Sequence, residues 1–330
     1  MLVISGNRRQ TRAERGYSRD ARGCSPEVGA HELNMRANRP SHTAAKISRG
    51  MSYLGHTEPY ASVLPAGAAE WTEELGLACG IVKPWMIRLY QSRFFARVAE
   101  GSSRVILPGQ LLGSALRKRF VNDGVEQGIR RGASQVLLVG GGFDPLCLRL
   151  ARKHPSVHFI EVDHPATMAV KKHGAEQLGP LAGNLELASV DLGATPLGEA
   201  LGDLNWDPTR RSVVVAEGVL MYLDLAAVVV FLENVHRSTG AESELVLTLV
   251  SAEAPAWLRA SVALVGERIR WTIEPVEVSP FLRAHGFEVV EGSADLRTTY
   301  LAGTELADAP LSTPEHVVAA LRVGEERPLN

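Results

Sequence analysis

The spacing of hydrophobic residues changes along the chain near Gly132. From Thr43 to about Phe120, apolar positions recur at helical intervals in stretches separated by glycine and proline, which predicts several short helices. Beyond Gly132, short runs rich in β-branched residues alternate with helical stretches, a pattern typical of a parallel α/β sheet. Residues 1–42 have no sustained apolar period, so we expect a disordered basic tail there, with a docking arm as the alternative.

The second part of the chain contains the candidate strands Gln135–Val139, His158–Val162, Leu185–Ser189, Ser212–Ala216 and Glu244–Val250. Helices between them are predicted to begin near Pro145, Pro165 and Asp224, and the last of these ends before Gly240. A strand that is followed by a helix and then by another strand is expected to pair parallel with it.

Near the carboxyl end this alternation stops. Strands are predicted near Phe287–Glu291 and Arg297–Leu301, with five residues between them. A parallel pair needs a crossover of about a dozen residues or more, so these two strands are expected to pair antiparallel. The predicted fold class is therefore α/β, with a Rossmann-like doubly wound sheet closed by an antiparallel hairpin.

These patterns predict three regions. Residues 1–42 form the tail, 43–120 form a helical cap, and 121–330 form the sheet domain that binds the ligand. Within the sheet domain, residues 251–278 lie between the fifth strand and the hairpin, and we expect them to form a lid.

Composition excludes several classes of function. The 330 residues are 45% hydrophobic and 22% charged, with a formal net charge of -2, so we expect neither a nucleic-acid nor a membrane partner. Cys24, Cys79 and Cys147 are far apart and form no metal-ligand pattern, which predicts no metal and a reducing cytoplasm. No segment approaches the ~18 to 20 apolar residues of a membrane span, and the first apolar run is too short for a signal peptide.

The turn after the first strand contains Gly140, Gly141 and Gly142. In doubly wound sheets ligands bind beyond the carboxyl ends of the strands, and glycine lets the main chain approach them closely. Pro145 stands where the dinucleotide fingerprint GxGxxG has its third glycine, which weighs against a nicotinamide cofactor. The alternative is a tight turn without a ligand.

Three carboxylates close later strands: Asp163, Asp191 and Glu217. Asp163 follows the glycines by about 20 residues, where an acid in a dinucleotide fold accepts hydrogen bonds from ribose hydroxyls. Glu161 shares a strand face with Asp163. Taken singly, these acids could be solvated or could cap helices, but all of them are expected at one edge of the sheet. A nucleoside that carries a sulfonium and an amine would suit them.

Several segments in this order resemble the leucine carboxyl methyltransferase-like family of S-adenosylmethionine-dependent methyltransferases. They are "RKRFVNDGVEQGIRRGASQVLLVGGGFD", "FIEVDHPATMAVKK", "ASVDL" and "VVVAEGVLMYLD", and the resemblance spans roughly residues 43 to 303. It implies the seven-stranded methyltransferase sheet with an antiparallel last strand, and S-adenosylmethionine as the cofactor.

The resemblance also implies residue roles, with the cofactor bound by Arg117, Gly140, Gly141, Gly142, Asp163, Asp191, Leu192 and Glu217. The glycines would lie along the methionine part of the cofactor, Asp163 would hold the ribose, and Asp191 and Leu192 would flank the adenine. Glu217 would bind the amino-acid end, and Arg117 would hold its carboxylate, with Arg119 as the alternative.

The chain departs from the family at one motif. The family reads GAGxDTR in the glycine turn, whereas Pro145 and Leu146 stand here in place of the threonine and the arginine. Cofactor binding is still expected, but any role of the Thr-Arg pair does not carry over.

Methyl transfer to oxygen needs alignment and exclusion of water, and a carboxylate with a reference pKa of ~4 is already ionised at neutral pH. We therefore expect O-methylation of a carboxylate on a small metabolite or a peptide C-terminus. Tyr222 is the catalytic candidate, as the residue that orients the acceptor, and core packing is its alternative. Tyr53, Tyr90 and Arg93 are further candidates for that role.

Two rival functions stay open at this stage. One is a non-catalytic homologue that binds the nucleoside in a regulatory role, and the other is an NAD(P)-dependent oxidoreductase. A hydroxyl acceptor would require a base, and His164, His173, His236 and His285 are expected to be surface or capping residues instead. The oligomeric state does not follow from the sequence.

Overall fold

A computed structural model describes residues 39–92, 94–95, 97–98, 101, 108–254, 267–312 and 314–324. Residues 1–38 of the predicted tail and 255–266 of the predicted lid therefore lie outside the described residues. In the described part of the chain, no helix is long and apolar enough to cross a membrane.

The first region is helical, as its periodicity predicts. Its helices are α1 His42–Gly55, α2 Tyr60–Val63, α3 Ala68–Ala78, α4 Pro84–Tyr90 and α5 Gln110–Arg130. The boundary predicted at residue 120 falls inside α5, because this helix packs its apolar face on the sheet along its whole length. The division into cap and sheet domain stays a prediction.

Strands and helices alternate in the second region. The strands are β1 Gln135–Val139, β2 His158–Asp163, β3 Leu185–Ser189, β4 Ser212–Ala216, β5 Glu244–Val250, β6 Phe287–Gly292 and β7 Glu315–Arg322. The helices are α6 Leu146–Lys153, α7 Pro165–Gln177, α8 Leu197–Gly202, α9 Leu225–Arg237, α10 Val278–Ala284 and α11 Leu296–Tyr300. The strand order is β3-β2-β1-β4-β5-β7-β6, and the first five strands are parallel. This is the α/β fold class predicted from the sequence.

The closing hairpin is antiparallel as predicted, but the position predicted for its second strand is wrong. Residues 296–300 form α11, because Leu296 and Leu301 both point into the core beside α5. The strand is instead β7, which enters between β5 and β6 and pairs antiparallel with both. Its first residue, Glu315, is in register with Val250 at the end of β5. An acid is thereby brought to the edge where the parallel strands end.

The core has one apolar layer on each face of the sheet. One layer is centred on α9 and α10 and the other on α5 and α6. Every residue of β1, β4 and β5 is buried, whereas the edge strands β3 and β6 are partly exposed. The rigid centre of the sheet therefore supports the carboxyl ends of β1 and β4.

Candidate active site

A cavity of about 510 Å³ opens at the carboxyl edge of the sheet. Its wall contains the predicted cofactor-binding residues and the catalytic candidate: Arg117, Gly140, Gly141, Gly142, Asp163, Asp191, Leu192, Glu217 and Tyr222. These residues come from five separate segments of the chain. Their convergence follows from the parallel sheet, since the strand ends meet at one edge. Their individual roles stay predictions.

The glycine turn forms the floor of the cavity. Gly140 and Gly142 have φ values of 66° and 54°, a backbone conformation that residues other than glycine rarely adopt. A Cβ atom on Gly141 would lie 2.3 Å from Glu161 Oε1, and one on Gly142 would lie 2.8 Å from the Cβ atom of Ala44 in α1. The carboxylate of Glu161 and helix α1 therefore confine the turn on two sides and leave no room for side chains. The turn presents only its main chain to the cavity.

A buried ion pair supports this turn from below. Glu161 and Lys171 are both fully buried and contact each other directly. Lys171 Nζ also donates to the carbonyl oxygen of Asp144 at 2.5 Å. Burial raises the pKa of Glu161 to about 7, against the opposing effect of Lys171. The sequence placed Glu161 on the same face as Asp163, but Lys171 lies on α7 and was missed.

Asp163 holds the turn as well as facing the cavity. Its Oδ2 accepts from the Gly142 amide at 2.6 Å, and its Oδ1 accepts from the His164 amide at 2.6 Å. Burial raises the pKa of Asp163, and these N–H groups partly oppose the shift. Each carboxylate oxygen retains a second lone pair that can accept from a ribose hydroxyl. His164 also lines the cavity, and its Nδ1 caps α7 by accepting from Ala166.

Asp191 and Leu192 follow β3 at the next strand end. Asp191 Oδ1 accepts from the Gly193 amide at 2.9 Å, which fixes the turn. Leu192 packs against the apolar layer that contains α9. An acid and an apolar side chain therefore flank one side of the cavity.

A cluster of five charged side chains lies at the other end of the cavity. Lys118 contacts Asp144, and its Nζ lies 2.8 and 2.9 Å from the two oxygens of Glu217. Arg117 Nε lies 2.9 Å from Glu217 Oε1, and Arg117 Nη1 donates to Glu315 Oε1 at 2.8 Å. Both cations come from α5, and the carboxylates come from the glycine turn, the residue after β4 and the first residue of β7. Sequence reasoning missed Lys118, although it adjoins Arg117, and it missed Glu315.

Mutual attraction keeps this cluster charged. Burial lowers the pKa of Arg117, but Glu315 and Glu217 outweigh it, so the pKa is raised. Burial also lowers the pKa of Lys118, and Asp144 and Glu217 raise it above its usual range. The pKa of Asp144 is raised by burial and then brought below its usual range by Lys118. A ligand in the cavity therefore meets fixed charges of both signs.

The two arginines of "LRKRF" lie in different places. Arg117 is on the cavity wall. Arg119 Nε instead bonds Asp123 at 2.8 Å, and its guanidinium lies 5.9 Å from the centre of the Tyr300 ring. The structure thus brings Arg117, the preferred candidate, to the predicted site.

Helix α1 covers the cavity. Its first turn is held by Glu267, whose Oε1 accepts from Ser41 Oγ at 3.0 Å and from the His42 amide at 2.9 Å. Glu267 Oε2 accepts from the Thr43 amide at 3.2 Å. The amide of Ser41 in turn donates to Thr167 on α7 at 3.1 Å. A residue of the predicted lid segment, Glu267, therefore holds the first turn of the helix that covers the cavity.

Tyr222 lies on the wall with a buried hydroxyl that no described residue is aligned to bond. Tyr53 and Tyr90 are not on the wall, because they pack edge to face with centroids 5.5 Å apart, and Phe95 joins them. Their contact with the acceptor stays a prediction, which this packing does not favour. Arg93 lies outside the described residues.

The structure accounts for one of the two departures from the family motif, Leu146 in place of the arginine. Helix α6 begins at Leu146, one residue later than predicted, and Asp144 Oδ1 accepts from the Leu146 amide at 2.8 Å. The side chain of Leu146 is buried in the layer that contains α5. Apolar packing occupies the position where the family has an arginine.

Comparison with known proteins agrees with this geometry. The model of the family described as leucine carboxyl methyltransferase matches residues 80–236. A protein of Streptomyces avermitilis, provisionally named an S-adenosyl-L-methionine-dependent methyltransferase, is 30% identical over 201 residues, which cover 60% of this chain and 68% of that protein. The chain belongs to the S-adenosylmethionine-dependent methyltransferases. S-adenosylmethionine is therefore its cofactor.

Other relatives of this methyltransferase give the same result. A Mycobacterium avium protein with the same provisional name is 29% identical over 197 residues, which cover 57% of this chain and 59% of that protein. The chain spans about three fifths of the length of several such relatives. A solved methyltransferase-like structure from Thermobifida fusca shares the fold, with a TM-score of 0.50, 17% identity and coverage of 81% of this chain and 98% of that one.

The cavity residues of this methyltransferase fit its cofactor. The bare glycine turn leaves space that a Cβ atom would fill, and the buried Glu315 Oε2 has no hydrogen-bond partner among the described residues. Asp163 offers carboxylate acceptors to the hydroxyl groups of a ligand, and the charged cluster offers both signs of charge. Among the described residues, no group of three or more His, Cys, Asp or Glu side chains could hold a metal ion.

Proposed function

We propose that the protein is an O-methyltransferase that transfers the methyl group of S-adenosylmethionine to a carboxylate of a small metabolite or a peptide C-terminus. The main support for this proposal is the environment of Tyr222. It lines the cavity, and its hydroxyl is buried without an aligned partner among the described residues. Burial and the nearby Glu267 raise the pKa of Tyr222, although Thr43 acts to lower it. The hydroxyl therefore stays protonated and acts as a donor rather than as a base.

A donor suits an acceptor that is already an anion. A carboxylate needs no deprotonation before it attacks, and a hydrogen bond from Tyr222 to one oxygen would aim the other. A phenol or alcohol would need a base. This difference favours the carboxylate.

The remaining residues would bind and align the reactants. S-adenosylmethionine, when bound, supplies an electrophilic methyl on a sulfonium. Asp163 would accept from the ribose hydroxyls, and Asp191 and Leu192 would flank the adenine. The glycine turn would lie along the methionine chain. Helix α1, held by Glu267, would exclude water from the reacting atoms.

Transfer of a labelled methyl group tests the proposal. The protein is incubated with methyl-tritiated S-adenosylmethionine and a panel of carboxylic acids and C-terminally free peptides, and the products are treated with mild alkali. A methyl ester releases volatile labelled methanol, whereas an ether or a methylated amine does not. We expect release of labelled methanol, and label that survives alkali would contradict the carboxylate.

Two controls separate the other outcomes. Tyr222→Phe should lower kcat/KM by about three- to tenfold through the lost hydrogen bond and leave binding of the product S-adenosylhomocysteine unchanged. If the protein binds S-adenosylhomocysteine but labels no acid, phenol or amine in the panel, the non-catalytic homologue is the better reading.

A further inference from the structure

Glu315 lines the cavity, although it lies outside the part of the sequence that the family model matches. That match ends at residue 236, and Glu315 begins β7. Its Oε1 accepts from Arg117 Nη1 at 2.8 Å. Its Oε2 is buried and has no hydrogen-bond partner among the described residues. A buried carboxylate oxygen without a donor costs free energy, so a donor supplied by a ligand would be stabilising here.

Glu217 is a poorer acceptor for such a donor. One of its oxygens lies 2.9 Å from Arg117 Nε and 2.8 Å from Lys118 Nζ, and the other lies 2.9 Å from Lys118 Nζ. An ammonium group that approached Glu217 would therefore meet two cations. In the described part of the chain, Glu315 forms an ion pair with Arg117 alone, and Arg117 bonds its other oxygen.

The charges of the cluster also favour an ammonium. Arg117 and Lys118 contribute two positive charges, and Asp144, Glu217 and Glu315 contribute three negative ones, which leaves a net charge of -1. The amino-acid end of S-adenosylmethionine carries a carboxylate and an ammonium. The carboxylate would be attracted to Arg117, and the ammonium would supply the missing positive charge.

We propose that Glu315 binds the α-ammonium group of S-adenosylmethionine through Oε2 while its Oε1 holds Arg117 in position for the cofactor carboxylate. This inference rests on the cofactor assignment. It moves the ammonium contact from Glu217, which follows β4, to Glu315 in β7.

Calorimetry with three ligands tests this contact. The ligands are S-adenosylhomocysteine, its analogue with hydrogen in place of the α-ammonium, and 5′-methylthioadenosine, which lacks the amino acid. They are titrated into the wild type, Glu315→Gln, and Glu253→Gln, a control at an exposed carboxylate away from the cavity wall. Glu315→Gln should weaken S-adenosylhomocysteine by about ten- to hundredfold. Its affinities for the other two ligands should stay within about threefold of the wild type, and Glu253→Gln should change none.

Several results would overturn the proposal. Equal weakening of S-adenosylhomocysteine and the desamino analogue would show that Glu315 acts through Arg117 alone, and unchanged affinities would remove it from the site. The same selective loss in Glu217→Gln but not in Glu315→Gln would return the contact to Glu217. If Glu315→Gln does not fold, Glu315→Asp keeps the charge, shortens the reach and should show the same selectivity. Failure of the wild type to bind S-adenosylhomocysteine would instead contradict the cofactor assignment.

Discussion

At the scale of single residues, Gly141 shows how tightly the floor of the cavity is built. A methyl group there would lie 2.3 Å from Glu161 Oε1, whose position is fixed by Lys171. We predict that Gly141→Ala lowers the free energy of unfolding by about 1 to 3 kcal/mol through overpacking, and weakens cofactor binding because the turn must move. Urea denaturation and calorimetry measure both.

Gly183→Ala is the matched control, since nothing lies within 4 Å of the added methyl group and its φ is not positive. It should change the free energy of unfolding by less than about 0.5 kcal/mol. Equal effects of the two substitutions would show that the contact with Glu161 is unimportant.

The buried Glu161 predicts a pH dependence of stability. Its pKa is raised from 4.5 to about 7 by burial, so the folded protein binds the proton more tightly than the unfolded chain. The protonated carboxyl therefore stabilises the fold most below pH 4.5, and this contribution is lost as the pH rises to about 7. Denaturation of the wild type and of the Glu161→Gln/Lys171→Met double variant at several pH values measures it.

The double variant removes both charges, so no buried ion is left unpaired. The difference in unfolding free energy, wild type minus variant, should fall by on the order of 2 to 3 kcal/mol between pH 5 and pH 8, at ~1.4 kcal/mol per pKa unit. A difference that is constant with pH would mean that Glu161 is ionised throughout this range.

Sequence reasoning found the site residues that end strands. The glycine turn, Asp163, Asp191 and Glu217 could be predicted to converge because a parallel sheet aligns its strand ends. The partners Lys118, Lys171 and Glu315 could not, because side-chain packing between distant segments decides their contacts. Glu315 lies 198 residues from Arg117 along the chain.

At the scale of elements, α1 depends on a cap that another segment provides. Glu267 accepts from the first backbone amides of the helix and from Ser41 Oγ. We predict that Glu267→Ala lowers the free energy of unfolding by about 1 to 2 kcal/mol, the usual cost of losing a helix cap, and weakens S-adenosylhomocysteine binding because α1 lines the cavity. Thermal denaturation and calorimetry test the two effects.

Glu277→Ala is the control, because this glutamate is exposed and lies near α10 instead. It should leave both measurements unchanged. Lost stability with unchanged ligand affinity in Glu267→Ala would show that α1 does not take part in binding.

At the closing strands, the sequence pattern alone did not identify the secondary structure correctly. The run "RTTYL" contains threonines and a tyrosine, which favour a strand, yet residues 296–300 form α11. Leu296 and Leu301 are both buried in the apolar layer that contains α5, and this tertiary contact decides the outcome. The predicted direction is antiparallel, as observed, but it was derived from a five-residue connection that the structure does not have, because residues 293–314 join β6 to β7. Both the identity and the direction of the last strand therefore depend on tertiary packing.

At the scale of the whole molecule, the order of the strands predicts the order of local stability. β1, β4 and β5 are buried throughout, and β3 and β6 lie at the edges. We predict that amide hydrogens of β1, β4 and β5 exchange slowest and that those of β6 exchange at least tenfold faster. Hydrogen exchange with mass spectrometry resolves these segments, and equal protection of β4 and β6 would contradict the prediction.

The late position of β7 in the chain has a consequence for synthesis. A growing chain that has reached Val250 already contains the glycine turn, Asp163, Asp191 and Glu217, but it lacks both β6 and β7. The edge of β5 then presents unpaired backbone groups to any passing strand. If Glu315 binds the ammonium as proposed, the subsite for the amino-acid end of the cofactor is completed only when β7 has paired with β5.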